Sequence, residues 1–123
     1  MDKAEFQKRP YATYLAALLE LEEAGYYVSA TGLRKVLLGE ESNKDVQSLN
    51  CFGLYGALPA RAFHSRIHSM VRSQFLNLRY NEELGDYLLL LTDESREVGK
   101  ATALQRKVRK DATPTIIAIK ETR

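Results

Sequence analysis

The chain has 123 residues, 45% of them hydrophobic, with 18 basic and 16 acidic side chains and a net charge of +2. That length suits one domain with a single core, the near-neutral total excludes a uniformly basic or acidic protein, and the single cysteine excludes an internal disulfide. The opening MDKAEFQKRP lacks an apolar signal core, and no apolar run nears the roughly 20 residues of a membrane span, so a soluble protein in a reducing, cytoplasmic setting is expected.

In chain order, the first expected helix covers residues 10–24. Pro10 suits a first turn. Tyr11, Tyr14, Leu15, Leu18, Leu19 and Leu21 form a wide apolar stripe, and Gly25 supplies a stop. SATGLRKVLLGEE predicts a short second helix, capped by Ser29 or Thr31. It buries Leu33, Val36 and Leu37 and ends at Gly39. GEESNKDVQSLNCFGLYGALP is long for a structureless connection, which predicts a helical turn around Asp45 to Leu49. Phe52, Leu54, Tyr55 and Leu58 are expected to pin this loop to the core, with Gly53 and Gly56 allowing tight turns.

A third helix is expected from Pro59 or Ala60, in ARAFHSRIHSMVRSQF. At about 100° per residue, Phe63, Ile67, Met70, Val71 and Gln74 gather on one side. Arg61, Ser65, His68 and Arg72 gather on the other. FLNLRYNEELGDYLLLLT then predicts a hairpin: Leu76, Leu78 and Tyr80 alternate with Asn77, Arg79 and Asn81, NEELGD makes the turn, and YLLLLT is a buried second strand. DESREVGK predicts a last short helix capped by Asp93. Residues 100 to 113 are basic and polar, and TIIAIK near the end predicts an edge strand, closing the sheet or swapped into a neighbour.

Charge is separated along the chain. Residues 61 to 80 contain Arg61, Arg66, Arg72 and Arg79 and no acid, and residues 96 to 110 hold six cations against Glu97. Acids concentrate at Glu20, Glu22, Glu23, Glu40, Glu41, Glu82, Glu83 and Asp86. Such separation makes a basic face on a nearly neutral protein. The element order, helices followed by a two-stranded hairpin, predicts a mainly α fold with a small β-hairpin wing, a winged helix-turn-helix. In that arrangement the third helix is the recognition helix.

Three stretches carry a more specific likeness: TGLRKVLLGEESNKDV, then CFGLYG, then the apolar skeleton of FHSRIHSMVRSQFLNLRYNEELGDYLLLLTDESREV. From about Ser29 to Val98 the chain resembles the RQC domain, the winged-helix DNA-binding module of RecQ-family helicases. The resemblance implies an RQC-like domain over residues 1–99, with 100–123 as a basic tail or C-terminal strand. It implies binding of duplex ends, forks or junctions through phosphates, in DNA repair, with a helicase or other repair protein as a further partner. Carried onto this chain, the contacts are Ser29, Thr31, Gly32 and Lys35 at the second helix and Ser42, Asn43 and Lys44 in the loop after it. They continue with Arg61, Ser65, His68 and Arg72 on the third helix, and Arg79 and Tyr80 at the wing. No phosphate-binding G-x-x-x-x-G-K-[ST] loop is present, so the chain is a standalone or excised module and no helicase by itself.

Other chemistries are weaker. His64 and His68, at i and i+4, share a side, but zinc needs three or four ligands and only Cys51 lies nearby. Cys51 sits among Leu49, Phe52 and Leu54, which predicts a buried, inert thiol over a nucleophile. Tyr80 either stacks on a terminal base pair or packs across the hairpin. No catalytic pair appears, so no enzyme and no cofactor are expected. Two alternatives to structure-directed DNA binding stay open: a protein-interaction module, favoured by the acidic loop and wing turn, and a transcription regulator reading duplex sequence.

Overall fold

The computed structural model describes residues 3–102 and 104, residues 3–10 by backbone alone. About half of the chain is helical, joined to a two-stranded antiparallel hairpin. The order is α1 (Lys3–Glu23), α2 (Ala30–Leu38), α3 (Lys44–Gln47), α4 (Ala60–Arg72), β1 (Leu76–Asn81), β2 (Asp86–Leu91) and α5 (Asp93–Ala101). No helix among the described residues is long and apolar enough to cross a membrane.

α1 is the centre of the core. Tyr14 through Leu19 are all buried, as is Leu21, so the helix is apolar on every side over one and a half turns. A helix enclosed in this way must be covered all round. α5 packs along one side of it, and β2 touches another. The helix begins at Lys3, seven residues before the expected start at Pro10. Proline marks a first turn only by preference, and here Pro10 lies within the helix.

Three helices end in one way. Gly25 (φ 92°), Gly39 (φ 77°) and Gln74 (φ 66°) each take a left-handed conformation just beyond a helix. The next residue's N–H then reaches back five positions: Tyr26 to Leu21 at 2.8 Å, Glu40 to Lys35 at 2.8 Å, Phe75 to Met70 at 2.9 Å. These are Schellman closures, which satisfy carbonyls that a helix end leaves open. Gln74 was expected on the apolar side of the third helix. It lies past the helix end and is exposed, since its backbone serves as the stop.

The helix starts are also specified locally. Ser29 caps α2, its Oγ accepting from the Gly32 N–H at 3.1 Å; Thr31 does not cap. Thr92 caps α5, not Asp93, which falls at the first helical position. The Thr92 hydroxyl accepts from the Ser95 N–H at 3.2 Å and the Ser95 hydroxyl accepts from the Thr92 N–H at 2.8 Å, so serine takes the place of the acid in a capping box.

The loop from 48 to 58 is clamped to the helices. Gly53 and Tyr55 donate their N–H groups to the Val36 and Leu37 carbonyls, each at 2.9 Å. Arg34 Nε donates to the Leu58 carbonyl at 2.7 Å. The Glu20 carboxylate accepts from the Asn50 and Cys51 N–H groups at 2.8 and 2.9 Å. A Cβ on Gly39 would stand 3.3 Å from the Gly53 Cα, so two glycines permit the contact between the end of α2 and the loop.

β1 and β2 pair from Leu76 with Leu91 to Asn81 with Asp86. Paired residues share a face of a sheet. The face carrying Leu76, Leu89 and Leu91 enters the core, and toward the turn it carries exposed Leu78, Tyr80 and Tyr87. The other face carries Asn77, Arg79 and Asn81 opposite Leu90, Leu88 and Asp86. Val28 and Ser29 run beside β2: Leu89 N–H donates to the Val28 carbonyl at 2.9 Å, and Ser29 bridges Leu88. This short contact, between α1 and α2, holds the hairpin to the helical body. TIIAIK and residues 105–123 lie outside the described residues.

Candidate nucleic-acid interface

α4 sorts its side chains by helical period. Phe63, Ile67 and Met70 are buried, while Arg61, Ser65, His68 and Arg72 are exposed along the opposite side. Neither Arg61 nor Arg72 has an ion-pair partner among the described residues. Arg66, also exposed, donates instead to the hydroxyl of the buried Tyr14 at 3.2 Å. One arginine therefore supports the core and two remain available to a ligand.

Among the described residues, no group of three or more His, Cys, Asp or Glu side chains that could hold a metal ion includes His64 or His68. His64 Nδ1 pairs with the Ala60 carbonyl at 2.9 Å, and its ring meets Phe63 edge-on at 5.7 Å. Cys51 is fully buried, which denies its sulfur the exposure a nucleophile requires.

A cleft of about 190 Å³ lies where three elements meet. Ala30 brings the start of α2, His64, His68 and Val71 bring α4, and Leu78, Asp86 and Tyr87 bring the hairpin. Of the expected contacts only His68 lines this cleft, with Ala30 from the start of α2 at the same cleft. Thr31 and Lys35 are exposed, and Gly32 is half-buried at the helix start. Ser29 is different: it is buried, and its hydroxyl is committed to the Gly32 N–H.

The loop residues do not join this cleft. Ser42, Asn43 and Lys44 follow the far end of α2, nine residues on, which at 1.5 Å per residue is about 13 Å from its start. Asn43 caps α3, its Oδ1 accepting from the Asp45 and Val46 N–H groups at 2.8 and 3.2 Å. Ser42 and Lys44 are exposed, next to Glu40, Glu41 and Asp45.

Arg79 and Tyr80, expected together at the wing, point to opposite faces because they are neighbours in a strand. Tyr80 crosses to Tyr87 with ring centroids 5.2 Å apart, edge to face. Tyr80 thus packs across the hairpin, one of the two readings weighed for it, and is 54% exposed. Arg79 lines a second, open trough of about 560 Å³ with Tyr26, Tyr27, Leu84 and Leu88.

Among the described residues, the exposed large hydrophobic ones are Tyr27, Leu78, Tyr80, Leu84 and Tyr87, all on the hairpin or beside it. Periodicity gave no sign of Tyr27 and placed Tyr87 in a strand expected to be buried. YYV at 26–28 carried a signal, being an aromatic and β-branched run of strand type, and it is the segment that meets β2.

No family model, no curated protein and no solved structure matches the chain.

Proposed function

We propose that this chain is a non-enzymatic DNA-binding protein with a winged-helix arrangement of RQC type. It recognises duplex ends, forks or junctions, with α4 on the phosphates and the hairpin against the duplex end. The observation that carries this is the exposed row of Arg61, Ser65, His68 and Arg72, with both arginines unpaired among the described residues, beside an aromatic hairpin.

The physics favours phosphate over protein acids for that row. Two free guanidiniums three turns apart on one helix, with hydroxyl and imidazole between them, match a repeating anion. Tyr80 and Tyr87 add the flat apolar surface that a terminal base pair can cover. Support for the winged arrangement comes from the element order and from the Val28–Ser29 contact that fixes the hairpin to the body.

The test is the double substitution Arg61→Ala, Arg72→Ala. It is expected to weaken binding at least tenfold on blunt and forked duplexes of unrelated sequence alike, by fluorescence anisotropy. A double variant that binds as wild type contradicts the proposal. A variant that loses affinity for one sequence only supports a sequence-reading regulator.

One observation favours a second reading, a protein-interaction module. Among the described residues, the hairpin and Tyr27 beside it gather the exposed large hydrophobic residues, and Glu82, Glu83 and Asp86 lie around the hairpin turn. An apolar patch rimmed by acids suits a basic protein partner. Absence of DNA binding at low salt would make this the leading reading.

A further inference from the structure

We propose that the trough on the outer face of the hairpin holds an unpaired strand of DNA, with a base on Tyr27 and a phosphate on Arg79. This rests on the DNA-binding reading above and adds a substrate to it: an end with a free arm, not a blunt one.

The trough is separate from the α4 cleft. Alternate residues of the hairpin face opposite ways, so Leu78, Tyr87 and Leu89 line the cleft while Arg79, Asn81 and Leu88 line the trough. The opposite wall comes from Tyr26 and Tyr27, in the segment that leaves α1. Its volume, about 560 Å³, lies within the range of small-ligand sites, about 300–1,000 Å³.

Its chemistry is that of a nucleotide. Tyr27 and Leu84 are each about half exposed in the free protein and offer apolar surface to a base. Arg79 is exposed and has no ion pair among the described residues. Asn81 lines the trough and uses its Oδ1 on the Leu84 N–H at 2.8 Å, so its amide NH2 is left to donate elsewhere. Glu83 stands at the same trough. A carboxylate repels phosphate but accepts from the exocyclic amine of cytosine or adenine, so Glu83 marks the base side and Arg79 the phosphate side.

These residues select a single strand over a duplex. A base offers its flat face to a side chain only when it is unpaired or at an end. One arginine opposed by one glutamate gives a weak grip on a continuous duplex backbone. Stacking therefore dominates, and the arm adds little salt dependence, a slope of about −0.7 for one phosphate contact.

The test uses the full chain and four labelled DNAs: one blunt duplex, the same duplex with an oligodeoxycytidine arm on the 3′ or the 5′ end, and oligodeoxycytidine alone. Wild type is expected to bind one armed duplex about tenfold more tightly than the blunt one, in line with stacking of a base on an aromatic side chain. Tyr27→Ala should erase that gain and leave blunt-duplex affinity within about twofold. Tyr27→Phe should keep it, which separates stacking from any role of the hydroxyl.

An arm that adds nothing in either polarity overturns the inference. So does a Tyr27→Ala protein that weakens blunt and armed duplexes equally. If Arg61→Ala, Arg72→Ala leaves blunt binding intact while the arm's gain still depends on Tyr27, the α4 reading fails and the trough stands. If no DNA binds, both fail.

Discussion

Gln74 holds a left-handed backbone at φ 66° that a side chain makes costly, and no glycine relieves it. The other two Schellman closures use glycine at this place. Gln74→Gly is therefore expected to stabilise the fold by about 0.5–1 kcal/mol, read as a rise in the urea midpoint. Ser29→Ala should do the reverse. Its hydroxyl caps α2, so its loss costs about 1 kcal/mol. Because the side chain is buried, DNA affinity of the folded variant should not change, and a selective loss of affinity would restore Ser29 as a contact. Tyr55 supplies a pH signature. Burial, then the neighbouring Tyr14, raises its phenol above the ordinary 10.0. A group with a raised folded pKa contributes stability below its unfolded value and loses it as pH rises through the folded one. Stability should thus fall as pH climbs above about 10, and Tyr55→Phe should reduce that fall.

Among the helices, the closest meeting is that of α5 with α1. A Cβ at Gly99 would lie 3.1 Å from the Leu15 carbonyl oxygen and 3.4 Å from a Leu19 methyl. Helix propensity favours alanine over glycine by about 1 kcal/mol. The neighbour here is buried backbone, which yields little, so overpacking at about 1–3 kcal/mol wins. Gly99→Ala is expected to lower stability by thermal melting, and an increase would show that the crossing relaxes. Arg96 seals the same crossing, giving Nε and Nη2 to Glu22 Oε2 at 3.1 and 2.8 Å.

Much of this level was legible in the sequence. The apolar period of α4 and α2, the stop at Gly39 and the alternation of β1 all follow from local rules. What was not legible departs from the usual local preferences. Helix α1 runs through Pro10 to Lys3, against a local preference. Gln74 continues an apolar period in sequence, yet the chain turns before it. Thr92 and Ser95 make a capping box without an acid.

For the whole molecule, the nearly neutral net charge hides an uneven surface. Two free arginines lie along α4, acids lie at the hairpin turn and around α3, and aromatic residues fill the hairpin. The α4 row was legible because helical period alone places it. The two faces of the hairpin were legible only in part. Alternation separates Arg79 from Tyr80, but the approach of Tyr27 needs the Val28–Ser29 contact with β2. The loop at Ser42 to Lys44, expected to contact phosphates, follows the far end of α2.

The most direct measurement is the salt dependence of binding to a blunt duplex, for wild type and for Arg61→Ala, Arg72→Ala. If both arginines neutralise phosphates, log affinity against log salt should flatten by about 1.8 on their removal, at about 0.9 per contact. An unchanged slope, or no binding by wild type at low salt, would contradict the claim that α4 is the DNA face.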